Sequence, residues 1–271
     1  MSIFEAIILG LAQGLTEFLP ISSSGHLRFV PAFFGWDDPG AYFTATVQLG
    51  TMAAVVIYFW HDLWRIARTW LISLNRRELR GELDARMGWY LIIATIPIGI
   101  FGLAFKDQIE EGARNLYLIG TVLIVLGLVL AVADRVARRT REVDQVNRAD
   151  AIWVGFAQAL ALIPGTSRSG ATITAGLFLG LTRTAAARFS FLMSVPAVVL
   201  SGLYGLTEVV GAEDSDLTGL AIATVVAFIS GYASIAFLLR WLTSHSMMIF
   251  VVYRVVVGAL VIALAASGAI S

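Results

Sequence analysis

Two breaks in long apolar runs gather the residues of this chain that could do chemistry. The first, LPISSSGH at 19–26, carries Ser22, Ser23, Ser24, Gly25 and His26, with Glu17 just upstream and Gln13 four residues before Glu17, one helical turn away on the same face. The second, IPGTSRSG at 163–170, carries Thr166, Ser167, Arg168 and Ser169. If the two breaks meet, one carboxylate, one imidazole, one guanidinium and several hydroxyls share a site. Each type has a use in phosphoryl chemistry. The guanidinium of Arg168 is a planar fork of donors matching phosphate oxygens. Gly and Ser turns at a broken-helix N-terminus present backbone N–H groups where the helix dipole also favours an anion. His26 can move protons near neutral pH or serve as a nucleophile. A serine hydroxyl could attack phosphorus once a base took its proton, and Glu17 could be that base or could hold a divalent cation.

Plainer roles exist for each residue. The serines could simply cap a helix and satisfy freed backbone groups. Glu17 and Arg168 could form a structural pair, and His26 could start a helix facing outside water. Gln13 and Gln158 could be glue between helices, the role expected of Gln158. Arg254, in the middle of FVVYRVVVGAL, reads as a partner for a carboxylate or as a snorkelling side chain, while Arg183 and Arg188 read first as orientation signals. Convergence at two matched breaks favours the chemical reading.

The elements that must position these residues are membrane spans. Of 271 residues 58% are hydrophobic and only 14% charged, with a mean hydropathy of +0.81, against about 25% charged in soluble domains. That deficit excludes a nucleic-acid binder and a disordered tail. Nineteen basic residues balance nineteen acidic ones, so net charge points to no acidic partner. With no cysteine, disulfides, thiolate zinc sites, iron–sulfur clusters and thiol nucleophiles are excluded. Six runs are long enough to cross: Tyr42–Trp60, Met87–Phe105, Tyr117–Ala133, Ala185–Val209, Leu217–Trp241 and Met247–Ala266. Continuous apolar runs without two-residue alternation argue against a β-barrel.

Charge orients the spans. Arg65, Arg68, Arg76, Arg77, Arg80 and Arg86 follow the first, and Arg135, Arg138, Arg139, Arg141 and Arg148 follow the third, so both connections belong in the cytoplasm. The connections with Asp107, Glu110 and Glu111, and with Glu213, Asp214 and Asp216, belong outside. The apolar regions 3–36 and 149–184 are each broken at their centres, and the second has arms of about 15 residues, roughly 22 Å of helix. Both therefore read as re-entrant hairpins, since non-helical backbone at membrane depth survives only inside protein or beside water; two kinked spanning hairpins are the alternative. The first enters from outside, the second from inside. GLAQGL at 10–15 matches GFAQAL at 155–160, and SSSG at 22–25 matches SRSG at 167–170, both at a spacing of 145. Related segments in opposite orientations mark an inverted-topology repeat with its site near the midplane. The expected fold is thus an all-α polytopic membrane protein of one domain, 1–271. It has six transmembrane helices and two re-entrant hairpins, with one repeat over about 1–134, a cytoplasmic linker over 135–148 and a second repeat over about 149–271.

With the motifs assembled, the chain resembles, over nearly its full length, the bacterial undecaprenyl-pyrophosphate phosphatase family, also called bacitracin-resistance proteins. The first family motif reads here Gln13-Gly-Leu-Thr-Glu17-Phe-Leu-Pro20-Ile-Ser22-Ser23-Ser24-Gly25-His26, and the second Pro164-Gly165-Thr166-Ser167-Arg168-Ser169-Gly170. Gln48-Leu49-Gly50 and Arg188-Phe-Ser-Phe-Leu-Met-Ser-Val-Pro196 support them. The resemblance implies hydrolysis of undecaprenyl pyrophosphate to undecaprenyl phosphate in the bacterial plasma membrane. It also implies a site open to the outer, periplasmic face and dependence on a divalent cation, Mg or Ca. It makes Glu17, His26, Ser23 and Arg168 the expected catalytic residues, with Ser22, Ser24, Gly25, Thr166, Ser167, Ser169 and Gln13 binding substrate and Glu17 as the metal ligand. Position 13 is Gln where some members have Glu, which weakens a metal site built from two carboxylates, and position 24 is Ser where Thr is common. The expected partners are a prenyl pyrophosphate lipid, membrane lipids and, as in many membrane proteins of this size, a second copy in a homodimer; nucleic acid is not among them. The rival class is a transporter or flippase of a lipid phosphate or small anion, which shares inverted repeats and broken helices.

Overall fold

Ser2 starts the first helix. Its hydroxyl accepts from the Glu5 N–H at 3.2 Å, while Glu5 Oε2 accepts from the Ser2 N–H at 2.9 Å, satisfying two donors that a helix start otherwise leaves orphaned. The computed structural model describes residues 1–105, 108, 115–209 and 216–270, and the side chains at 41 and 200–209 lie outside the description. Eleven α-helices occur among the described residues. The first half holds α1 (Ile3–Phe18), α2 (Ser23–Phe34), α3 (Gly40–Tyr58), α4 (Trp60–Asn75), α5 (Leu83–Ala104) and α6 (Leu116–Val136). The second holds α7 (Arg148–Ala159), α8 (Arg168–Phe178), α9 (Arg183–Val209), α10 (Leu217–Trp241) and α11 (Met248–Ala266). No β-strand occurs among the described residues beyond a single bridge between Arg141 and Leu181.

Among the described residues four helices (α5, α6, α10 and α11) are long and apolar enough to cross a bilayer, and α3 with α4 makes a fifth if the bent pair is one segment. The chain is therefore a multi-pass membrane protein. The structure differs from the sequence reading at two places. The run after Tyr42 turns by 77° at Phe59 and continues as α4, an amphipathic helix with Ile66 and Ser73 buried and Trp60 and Trp64 exposed, where the sequence reading has an arginine-rich connection with no element assigned. The arms of the second break have 12 and 11 residues rather than about 15, because the 3₁₀ turn Leu160–Leu162 and the stretch through Pro164 take the remainder. Of the acidic residues assigned outside, Asp107, Glu110, Glu111, Glu213 and Asp214 lie outside the described residues. Asp216 caps α10, accepting from the Gly219 N–H at 3.0 Å.

Packing interleaves the two halves. Helix α1 lies along α10, and α7 lies along α5; α6 pairs with α11 and α3 with α9. Small residues permit the close approaches. A Cβ on Gly10 would fall 2.5 Å from the Ala223 carbonyl oxygen of α10, and one on Gly155 would fall 2.8 Å from the Ala94 carbonyl oxygen of α5. The main core joins Phe18, Phe59, Leu91, Ile173, Phe191 and Leu238, with Phe18 edge-on to Phe191 at 5.4 Å. Ion pairs tie the end of the bundle that bears the arginine-rich connections. Arg183 meets Asp134 through Nε at 2.5 Å and Nη2 at 3.0 Å, and Asp134 also accepts from the Met247 N–H. Arg141 reaches Asp150 at 2.5 Å, a hydrogen bond that raises its pKa above the usual value, and Arg188 pairs with Asp62.

Candidate active site

Each break is a sharp turn that delivers a helix N-terminus into the protein. Ser22 has φ 77° and ψ 99°; Ser167 has φ 67° and ψ 108°. These values are uncommon for a residue with a Cβ and mark stored strain. Each serine hydroxyl then accepts from the N–H three residues on, Gly25 at 3.4 Å and Gly170 at 3.1 Å. Each also sits beside the hydroxyl two residues on, Ser24 at 3.3 Å and Ser169 at 3.2 Å. The same strained cap is thus built twice, and it opens α2 at Ser23 and α8 at Arg168.

Those two first residues converge on Glu17, in the last turn of α1. Ser23 Oγ donates to Glu17 Oε2 at 2.6 Å, and an Arg168 Nη2 donor meets Glu17 Oε1. Gln13 Nε2 donates to Oε2 at 3.2 Å, and Ser169 Oγ donates to the Leu19 carbonyl at 3.2 Å, tying the turns together. Glu17 and Gln13 are buried. Two buried oxygens, Gln13 Oε1 on α1 and Thr166 Oγ1 in the second turn, have no hydrogen-bond partner among the described residues, which is unusual for buried polar groups and invites a ligand.

His26 stands apart from this centre. Its Nδ1 is 2.7 Å from the Ser22 carbonyl, which can only accept, so Nδ1 carries the proton. Its Nε2 is 2.7 Å from the Tyr253 hydroxyl, and Phe29 packs on the ring with centroids 4.6 Å apart. A neutral His26 therefore takes a hydrogen bond from Tyr253, and none joins it to Glu17 or Arg168 among the described residues.

Tyr253, Thr172 and Arg254 are the functional candidates that sequence reasoning missed or misassigned. Tyr253 reads in the sequence as one more aromatic on an apolar helix. Thr172, one turn after Arg168, donates to the Arg168 carbonyl at 2.8 Å and meets Ser190 Oγ of α9 at 2.6 Å; its spacing was the available signal. Among the described residues Arg254 pairs with no carboxylate, and it does not snorkel. It is 1% exposed and donates to backbone carbonyls of both turns and of α6. Gln158, spaced like Gln13, donates instead to the Ala94 carbonyl at 3.1 Å, which is helix glue.

Fold and site together define a polytopic helical membrane protein in which two broken-helix turns bring a hydroxyl and a guanidinium to one buried carboxylate. The family model described as bacitracin resistance protein BacA matches residues 6–260. The chain belongs to that family. Among its relatives, an undecaprenyl-diphosphatase of Nocardioides sp. is 54% identical over 268 residues, 98% of each chain. One of Thermobifida fusca is 52% identical over 271 residues, covering 100% of this chain and 93% of the relative. One of Mycolicibacterium smegmatis is 52% identical over 276 residues, covering 100% and 99%.

Proposed function

We propose that this protein hydrolyses undecaprenyl pyrophosphate to undecaprenyl phosphate and inorganic phosphate, recycling the lipid carrier of cell-wall synthesis and conferring bacitracin resistance. Full-length relatives at about 50% identity carry that activity in their names. The observation that carries the chemistry is the Ser23–Glu17–Arg168 chain of contacts.

In this reading Glu17 Oε2 takes the Ser23 proton as Oγ attacks the terminal phosphorus. The bond from that phosphorus to the bridging oxygen breaks, and undecaprenyl phosphate leaves with the proton that Glu17 passes to it. Water, giving a proton to the Glu17 carboxylate so restored, then attacks the phosphorus, and the bond to Ser23 Oγ breaks as Glu17 returns that proton to it and phosphate is released. Arg168, freed from Glu17 by the incoming anion, and the open N–H groups at the starts of α2 and α8 bind the charge that builds on phosphate oxygens. Ser23 takes the nucleophile's place because it touches the base, whereas both His26 ring nitrogens are engaged. His26, Ser22, Gly25, Ser167 and Ser169 shape the two turns, and Ser24 and Thr166 add hydroxyls for the head group.

A divalent cation fits the donors in a limited way. No group of three His, Asp or Glu residues occurs among the described residues, but Glu17 and the unpartnered Gln13 Oε1 offer two hard oxygens, and pyrophosphate oxygens supply others. Magnesium is often held by so few protein ligands. Such an ion would neutralise pyrophosphate charge.

The same proposal includes the arrangement in the membrane. Six spans and two re-entrant hairpins form an inverted repeat within one domain, over 1–134 and 149–271 with a linker at 135–148. The site opens to the outer face of the bacterial inner membrane. Supporting this are the repeated cap geometry, the interleaved packing, and break arms of 16, 12, 12 and 11 residues, each short of the roughly 20 residues a crossing needs. The test is phosphate release from a short-chain prenyl pyrophosphate by purified protein in detergent, with and without EDTA. Release that falls with EDTA is expected. No release from folded protein would overturn the phosphatase and favour transport of a lipid phosphate or small anion.

A further inference from the structure

A guanidinium that is 1% exposed in the middle of an apolar helix is expensive to bury, so its partners reveal its task. Arg254 has no carboxylate partner among the described residues. Its donors go to carbonyls: Nε to Leu123 at 3.1 Å, Nη1 to Pro20 at 3.3 Å, and Nη2 to Thr166 at 3.0 Å and Gly165 at 3.4 Å. Pro20 belongs to the first turn, Gly165 and Thr166 to the second, and Leu123 to α6. One planar fork on α11 therefore grips both turns. Two glycines form its slot, since a Cβ on Gly127 would fall 3.2 Å from the Arg254 Cβ and one on Gly170 only 2.7 Å from Nη1.

We infer that Arg254 is a positioning residue for the reaction, setting the separation and orientation at which the two turns present Ser23 and Arg168 to Glu17. Three facts carry it. The grip is shared between turns that lie 145 residues apart in sequence, so losing it loosens one against the other and leaves the Ser169–Leu19 and Arg168–Glu17 contacts to hold them. No peptide bond is cis among the described residues, and across a trans peptide C=O and N–H point in opposite directions. With the Thr166 carbonyl held by Arg254, the Ser167 N–H faces away from it. That N–H has no acceptor among the described residues and opens the turn that carries Arg168. Finally, among the described residues the buried charge is balanced by carbonyl dipoles alone, so a fixed positive charge lies behind both turns, where a pyrophosphate would dock. A lysine could keep the charge but not the fork, because one ammonium cannot present donors in the planar geometry that reaches both turns.

The kinetic part of the test rests on the proposed phosphatase, and the spectroscopic part does not. In Arg254→Lys, kcat should fall on the order of 10- to 100-fold, the scale of small misplacements of reacting groups, with KM changed less than threefold. Arg254→Gln should be worse. The chain has no cysteine, so nitroxides placed by Leu15→Cys and Ile163→Cys, two exposed positions beside the turns, report the turn-to-turn distance by pulsed electron spin resonance. The distribution should be narrow with Arg254 and broadened or shifted in Arg254→Lys and Arg254→Gln. Unchanged kcat in folded Arg254→Lys, or a rate loss matched by a smaller folded fraction with the distance distribution intact, would overturn the inference. If the unsubstituted protein releases no phosphate, the proposed function fails while the distance measurement still decides the role of Arg254.

Discussion

Ser23 and Arg168 hold the same place in the two turns. Each is the first residue of its helix and follows a serine of positive φ whose hydroxyl caps the turn; 145 positions separate them, the spacing that also relates SSSG to SRSG. Yet one is a hydroxyl and the other a guanidinium, and they take opposite oxygens of one carboxylate. The carboxylate has no counterpart, because position 162, the equivalent of Glu17, is Leu, and position 171, the equivalent of His26, is Ala. The backbone device is thus common to both turns, whereas the side chains are divided between them; in the proposed mechanism that gives a nucleophile and base on one side and an anion receptor on the other.

If that division holds, removing the receptor or the base should do the most damage. Arg168→Ala and Glu17→Gln are each expected to lower kcat by on the order of 10³-fold, as loss of a charge-stabilising donor or a general base does, measured as phosphate release from a prenyl pyrophosphate. Glu17→Gln should still run as a folded protein on gel filtration. Ser23→Ala should cost about 10²- to 10³-fold in kcat and abolish any acid-stable phosphoprotein trapped during turnover. A phosphorylated His26 peptide instead would move the nucleophile along α2. The glutamines sharpen the contrast. Gln13→Leu should lower activity about tenfold, the scale of a group that orients a reacting side chain. Gln158→Leu should leave activity within about twofold while lowering stability by about 1 kcal/mol, read as a thermal midpoint in detergent. The smallest effect belongs to the shared device. Ser167→Gly gives up the cap but suits the positive φ, so its stability should change by only a few tenths of a kcal/mol.

Much of this was legible before any coordinates. Pro, Gly and Ser in the middle of apolar runs mark breaks, and membrane physics confines such breaks to protein interiors. That placed Glu17, Ser23 and Arg168 as candidates for one site. Arg254 was illegible for a physical reason, since a buried cation is normally traced to an anion and nothing local in FVVYRVVVGAL predicts a cluster of tertiary carbonyls. The partner of His26 was hidden likewise, as Tyr253 lies 227 positions away. The 77° bend at Phe59 has neither Pro nor Gly to announce it; only the helical spacing of Trp60 and Trp64 hints at a helix among the arginines.

The most direct test of a single centre assembled from both turns is a double-mutant cycle between Glu17→Gln and Arg168→Lys, read as kcat for phosphate release. Residues acting as one unit lose their function once. The double variant is therefore predicted to fall within about threefold of the weaker single variant. Losses that multiply would contradict the account, because Glu17 and Arg168 would then be acting at separate places.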